Sequence, residues 1–138
     1  MRALKNLIRG ALYRYGWDTR CRNLVSARAV RATLAARSPV PQTSPALLDV
    51  GCGELGGLAA FLPGVKVMGV DLAPPAKPIE NFTFKTGDIT ALPFSDRSFS
   101  VVSCIDVLEH LPLEARNRAT RELLRVAECA VLIACPHG

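Results

Sequence analysis

The sequence predicts an α/β domain: a doubly wound parallel sheet of five strands in the order 3-2-1-4-5, preceded by two N-terminal helices. Two observations predict it. The 138-residue chain is 49% hydrophobic and 21% charged, which is typical of one globular domain with a packed core. After residue 45, short apolar runs alternate with turn and helix signals, as they do in parallel sheets covered by helices.

Residues 1–38 are predicted to form a basic helical arm. They hold nine of the 17 lysines and arginines but a single acid, Asp18. A stripe of apolar residues at helical spacing predicts the first helix, and an Ala- and Arg-rich segment predicts the second over residues 20–36. The stripe consists of Leu4, Leu7, Ile8, Ala11, Leu12 and Tyr15. Three prolines predict a linker over residues 39–45, so the core domain spans residues 46–138.

The basic arm admits two readings. We interpret it as structural helices that pack on the core as a lid, with weak contact to a membrane surface as the alternative and nucleic acid not expected. No apolar run has the length of a membrane span. The cysteine count is five, with no Cys-x-x-Cys pair, which favours a reducing cytoplasm over a disulfide framework or a zinc site. An organellar transit peptide is the alternative for the Arg-rich start.

Five short apolar runs are predicted to be the strands of the sheet. They lie at residues 46–50, 65–70, 81–85, 99–105 and 130–134. Helical segments are predicted at residues 54–62 and 113–129. Residues 71–80 contain three prolines, so a loop is expected there in place of the usual helix between the second and third strands.

The chemistry-bearing pattern begins at the end of the first strand. Residues 47–56 read Leu-Leu-Asp-Val-Gly-Cys-Gly-Glu-Leu-Gly, which places G-x-G-x-x-G between a strand and a helical segment. Asp71 follows Gly51 by twenty residues, the separation at which a carboxylate accepts from ribose hydroxyls. Asp49 and Asp88 add acids at two further strand ends, which favours a ligand with an amino group, a ribose and an adenine. Asp49 would repel a dinucleotide pyrophosphate, so NAD is disfavoured; a ligand-free tight turn is the structural alternative.

Four segments together resemble the successive motifs of class I S-adenosylmethionine-dependent methyltransferases. They are Leu-Leu-Asp-Val-Gly-Cys-Gly at 47–53, Val-Met-Gly-Val-Asp-Leu at 67–72, Gly-Asp-Ile-Thr-Ala-Leu-Pro-Phe-Ser-Asp-Arg-Ser-Phe at 87–99 and Ile-Asp-Val-Leu-Glu-His-Leu at 105–111. The closest resemblance is to the type-11 branch, which includes quinone-biosynthesis-like enzymes. It implies S-adenosylmethionine as cofactor, S-adenosylhomocysteine as product and a small-molecule carbon or oxygen nucleophile as acceptor. No metal is implied.

The resemblance also implies which residues contact the methionine part of the cofactor. Asp49 would lie near its amino group, with the backbone of Gly51, Cys52 and Gly53 close to the amino-acid moiety. The backbone at residues 104–105, Cys104 and Ile105, would close over the same end.

The adenosine part is implied to lie against the next two strand ends. Asp71 would bind the ribose hydroxyls, with Leu72 beside the adenine. Asp88 would accept from the adenine amine, and Ile89 would lie against the ring.

Two residues after the fourth strand are candidates for removing a proton from the acceptor. These catalytic candidates are His110 and Asp106, although a Glu-His pair at such a position more often holds the loop.

The sequence departs from the family pattern at several places. The third glycine of the turn is displaced, and Ser100 stands where the family commonly has Asp. The family sheet has seven strands, whereas five are predicted here. We therefore expect a homodimer or a partner protein over the edge of the fifth strand. The alternative function is a cofactor-binding remnant or subunit without catalytic activity of its own.

Overall fold

A computed structural model describes residues 17–36 and 45–135. Its helices and strands follow one another along the chain, with loops in place of helices between the second, third and fourth strands. They are α1 (Trp17–Ala35), β1 (Leu47–Val50), a 3₁₀ helix (Gly57–Phe61), β2 (Val67–Asp71), β3 (Phe82–Thr86), β4 (Phe99–Ile105), a second 3₁₀ helix (Leu108–His110), α2 (Leu113–Val126) and β5 (Ala127–Ala134).

The five strands form one parallel sheet in the order β3-β2-β1-β4-β5. The predicted fold class and strand order are confirmed. β1 lies at the centre, where Leu47 pairs with Val67 of β2 and with Val101 of β4. Since the strands are parallel, their carboxyl ends meet at one edge of the sheet, where ligands of such folds bind.

Helices cover both faces of the sheet, because successive side chains of each strand point to opposite sides. On one face, Leu48 belongs to a buried cluster with Leu123 of α2. On the other face, Leu47 belongs to a cluster with Val30 of α1 and Leu58 of the first 3₁₀ helix. The result is three layers, with β1 completely buried in the middle one.

The N-terminal helix α1 crosses its face of the sheet from the carboxyl edge to the amino edge. Near its start, Arg22 pairs with Asp106, which follows β4. Near its end, Arg31 donates to the carbonyl of Pro63, which precedes β2. None of the helices in the described ranges is long and apolar enough to cross a membrane.

Two predicted helices differ from the structure. The segment at 54–62 forms a turn followed by a short 3₁₀ helix that begins only at Gly57. The segment at 113–129 is helical only to Val126, and β5 starts at once at Ala127, three residues earlier than predicted. The physical reason is that the carbonyl of Arg125 accepts from the amide of Arg97, so it does not bond to the next helical turn.

The proline-rich segment between β2 and β3 is a loop, as predicted. It folds back over the turn after β1, because the amide of Ala76 donates to the carbonyl of Glu54 at 3.0 Å. Ile79 packs against Gly56, where any Cβ would collide with it. The loop therefore supports the glycine turn from outside.

Several predicted segments lie outside the described residues. They are the first helix and residues 37–38 of the arm, most of the linker at 39–45, and residues 136–138. The second predicted helix is α1, which begins three residues earlier than expected. The division into arm, linker and core stays a prediction.

Candidate functional site

The glycine turn after β1 is packed on one side and open on the other. Gly51 has φ +75° and lies so close to Val107 that a Cβ would overlap its side chain. Gly53 has φ +63°, but a Cβ there would meet no other atom within 4 Å. Backbone at Gly53 is therefore accessible to a ligand, which is the use that glycine-rich turns have in such folds.

Asp71 joins the end of β2 to this turn. Its Oδ2 accepts from the amide of Gly53 at 2.8 Å, and its Oδ1 accepts from the amide of Leu72 at 2.7 Å. The residue is partly exposed. Because each carboxylate oxygen can accept more than one hydrogen bond, Asp71 retains acceptor capacity for the hydroxyls of a ligand.

Asp49 lies beneath the turn, with only 3% of its surface exposed. Its Oδ2 accepts from the amide of Leu58 at 2.8 Å, and its Oδ1 accepts from the hydroxyl of Ser103 at 2.7 Å. Burial raises the pKa of Asp49 to about 6; the negative charge of Asp71 acts in the same direction, whereas the two hydrogen bonds oppose it. Its direct contact with a cofactor amino group stays a prediction.

Ser103 is a residue of this site that sequence reasoning missed. It is fully buried in β4 and bonds to Asp49 across the sheet, although 54 residues separate them. The only signal was a pair of serines, Ser100 and Ser103, in the otherwise apolar run Phe99–Ile105.

Asp88 lies just after β3. Its Oδ1 accepts from the amide and from the hydroxyl of Thr90, at 2.7 and 2.8 Å, and these bonds lower the pKa of Asp88. Asp88 and Leu72 are exposed, whereas Ile89 is buried in the core on the α2 side. Their placement around an adenine stays a prediction.

The two predicted cysteines are buried thiols. Burial raises the pKa of both Cys52 and Cys104 to about 12, so both remain protonated at neutral pH. A buried, protonated thiol packs as a small apolar side chain. Ile105, the last residue of β4, is partly buried against the α1 side.

The two catalytic candidates have different surroundings. Asp106 forms a two-point ion pair with Arg22, with Nε to Oδ1 at 2.7 Å and a terminal guanidinium nitrogen to Oδ2 at 2.8 Å. Arg22 was not predicted as a site residue, and its partner lies 84 positions away. The side chain of His110 is 76% exposed, with Nε2 at 3.9 Å from Oε1 of Glu109.

The comparisons with known proteins fit this geometry. Residues 48–132 match the type-11 family model described as a methyltransferase domain. The chain belongs to this type-11 branch of the class I S-adenosylmethionine-dependent methyltransferases. The matched range contains the glycine turn, Asp71, Asp88 and Ser103.

Curated methyltransferases are similar to the chain over part of their length. A demethylmenaquinone methyltransferase of Chlorobaculum tepidum is 34% identical over 114 residues, which cover 77% of this chain and 47% of that protein. Norajmaline N-methyltransferase of Rauvolfia serpentina is 32% identical over 95 residues, covering 59% and 32%. The chain thus spans about half or less of the length of these relatives.

A solved structure supports the fold. The PH0226 protein of Pyrococcus horikoshii is 25% identical and superposes with a TM-score of 0.55, covering 77% of this chain and 56% of that one. The predicted family and its Rossmann-like fold are confirmed by these matches.

Proposed function

We propose that the chain binds S-adenosylmethionine at the carboxyl edge of its sheet and transfers the methyl group to a carbon or oxygen of a small molecule. The observation that carries this proposal is the 2.8 Å bond between the Gly53 amide and Asp71. It brings an accessible glycine backbone and a carboxylate with spare acceptor capacity to the same place. Membership of the methyltransferase family supports the same ligand.

The chemistry of the site fits the adenosine part of this cofactor. Asp71 would accept from the ribose hydroxyls, and Asp88 from the adenine amine. Leu72 and Ile89 would lie beside the ring. The exposure of Asp88 and Leu72 and the partial exposure of Asp71 support these roles.

The methionine part would meet the glycine turn. Gly51, Cys52 and Gly53 offer backbone there, and the backbone of Cys104 and Ile105 would close the same end. Asp49 lies beneath the turn. Because it is buried, water screens its charge only weakly, and the charge would attract the cationic amino group above it.

When bound, S-adenosylmethionine supplies a methyl group that its sulfonium already activates. The residues of the chain therefore act mainly by aligning the reacting groups and excluding water. Val107 contributes by packing the loop after β4 against Gly51. Because the guanidinium of Arg22 holds Asp106, we assign proton removal from the acceptor to His110 before Asp106.

Calorimetric titration with S-adenosylhomocysteine tests the binding step, with NAD as the control dinucleotide. We expect S-adenosylhomocysteine to bind and NAD not to compete. If S-adenosylhomocysteine fails to bind, the proposal is wrong.

Radiolabelled methyl transfer tests the reaction. The first acceptor probes are quinone-like compounds, since one relative is named for demethylmenaquinone, and amines, since another is named as an N-methyltransferase. We expect the label on carbon or oxygen. Label on nitrogen would correct the acceptor class.

A second candidate function is cofactor binding without catalysis by this chain alone. It is favoured by the ion pair that engages Asp106. Tight S-adenosylhomocysteine binding together with no transfer to any acceptor, in an assay where the Chlorobaculum relative is active, would favour this candidate.

For partners and location, we propose a cytoplasmic protein that associates along β5. Association is supported by the edge position of β5, which within the described residues pairs with β4 alone. The cytoplasmic location is supported by the cysteines of the protein, which are free thiols. Light scattering should show an associated species that Leu132→Lys dissociates. A soluble monomer before the change would contradict the association.

A further inference from the structure

The inference concerns the buried pair formed by Asp49 and Ser103, and it rests on the proposed function. The Ser103 hydroxyl lies 2.7 Å from Oδ1 of Asp49 and 3.2 Å from the carbonyl of Leu48. A hydroxyl has one proton to donate, so it can serve only one of these acceptors fully at a time. The shorter contact and the charge of the carboxylate favour Asp49.

The pair has two chemically complete arrangements. With Asp49 ionised, Ser103 donates to Oδ1. With Asp49 protonated at Oδ1, the carboxyl group can donate to the Ser103 oxygen, and Ser103 then turns its own proton to the Leu48 carbonyl. Oδ2 accepts from the Leu58 amide in both arrangements, so protonation at Oδ1 leaves that bond intact.

The carboxylate of Asp49 also supports the end of the glycine turn. Oδ2 accepts from the amide of Leu58 and lies against Gly57, where a Cβ would collide with it. The first 3₁₀ helix starts at Gly57. The carboxylate is therefore packed and hydrogen-bonded where the turn joins this helix.

We propose that Ser103 is a positioning residue that holds the Asp49 carboxylate in place under the glycine turn and thereby makes cofactor binding depend on the protonation of this pair. Ser103 acts through Asp49 and does not touch the cofactor. Loss of the negative charge weakens attraction for the cationic amino group above it.

Three titratable groups face Asp49. Asp71 on β2 acts on it with a negative charge. The thiols of Cys52 in the turn and Cys104 on β4 also face it, but their pKa values of about 12 keep both neutral. Burial raises the pKa of Asp49 to about 6, and the Ser103 bond opposes that rise.

The test is calorimetric titration with S-adenosylhomocysteine from pH 5 to 8, for the wild type and Ser103→Ala. We expect affinity to fall as the pH drops through about 6 in the wild type. In Ser103→Ala this midpoint moves up by about one pH unit, because the carboxylate loses a hydrogen bond. An equal loss of affinity at every pH, with no shift of the midpoint, would reduce Ser103 to a packing residue and overturn the inference.

Two controls make the pH profile specific. Ser98→Ala removes an exposed hydroxyl that bonds to the Ser95 carbonyl, and it should leave the midpoint unchanged. In the second control, the series is repeated with both His110 and His137 changed to Asn, which removes both imidazoles of the chain. Disappearance of the midpoint in that background would also overturn the inference.

A ligand-free measurement separates this inference from the proposed function. Carbon NMR of the Asp49 carboxyl group follows its titration directly in both proteins. If S-adenosylhomocysteine does not bind at any pH, the proposed function fails, and the NMR titration still decides the role of Ser103. A raised wild-type pKa that rises further in Ser103→Ala supports the inference; an ordinary wild-type pKa, or equal values in both proteins, overturns it.

Discussion

Two hydrogen-bonded carboxylate clusters of this protein show opposite behaviour. At the carboxyl edge, Asp49 is buried against two neutral donors, the Leu58 amide and the Ser103 hydroxyl, and its pKa is raised. On the α2 side, Glu122 accepts two bonds from the guanidinium of Arg125, and its pKa is lowered. In the first cluster, burial outweighs the neutral donors. In the second, a cation stabilises the ionised form.

The difference indicates what each cluster does. Arg125 also donates to the carbonyls of Leu92 and Phe94 and pairs with Asp96, so it fastens the loop before β4 to α2. These bonds of Arg125 thus join parts of the protein to one another, which indicates a structural role. In the cluster at the carboxyl edge, Asp71, whose negative charge acts on Asp49, lies partly exposed beside the accessible backbone of Gly53. We expect changes at Arg125 to alter stability, and changes at Asp71 to alter ligand binding.

The largest expected effect is at Arg125. Arg125→Ala should lower the free energy of unfolding by about 3 kcal/mol, because it removes several charge-assisted hydrogen bonds and leaves the partly buried Glu122 without its cation. Urea unfolding measures this loss. S-adenosylhomocysteine affinity of the folded fraction should be unchanged, and a weakened affinity would break the distinction between the clusters.

The next effect is the pH dependence that Asp49 contributes to stability. Its folded pKa of about 6 lies above the ordinary aspartate value of 3.8, so the folded state holds the proton more tightly. Stability due to this group therefore rises as the pH falls from 7 to 4, by up to about 3 kcal/mol. Urea unfolding of the wild type and of Asp49→Asn across this pH range isolates the contribution of Asp49 to stability. Parallel curves for the two proteins would contradict the raised pKa.

A further prediction concerns Asp71. Asp71→Ala should weaken S-adenosylhomocysteine binding by roughly 10- to 150-fold, since loss of the acceptor leaves ribose hydroxyls unpaired, at a cost of about 1.5 to 3 kcal/mol. Calorimetry measures the dissociation constant, with Asp96→Ala as the matched control at the other cluster. An unchanged constant would remove Asp71 from the binding site.

The smallest expected effect is at Arg22. Its ion pair with Asp106 lies at the carboxyl edge, where ligand binding is expected, but it also joins α1 to the end of β4. Because both side chains remain about one fifth exposed, Arg22→Ala should lower stability by about 1 to 2 kcal/mol. Thermal unfolding measures it. If the double exchange Arg22→Asp with Asp106→Arg restores stability, the ion pair has a structural role. If Arg22→Ala causes no destabilisation at all, that role is contradicted.

Local patterns in the sequence determined most of the architecture. Apolar runs of five to seven residues predicted the strands, and the prolines of residues 71–80 predicted the loop that replaces a helix. The glycine turn and the acids at strand ends followed from spacing alone, because parallel strands bring their carboxyl ends to one edge. Residue type within a short window carries this information.

The tertiary structure decided which distant side chains meet. Ser103 reaches Asp49 because β4 lies beside β1 in a register that pairs these two residues. Arg22 reaches Asp106 because α1 starts at the carboxyl edge. Helix α2 stops at Val126 because the carbonyl of Arg125 in its last turn accepts a hydrogen bond from the amide of Arg97. Each of these contacts depends on the order and register of elements far apart in the chain, and a local pattern of residues does not encode such pairings.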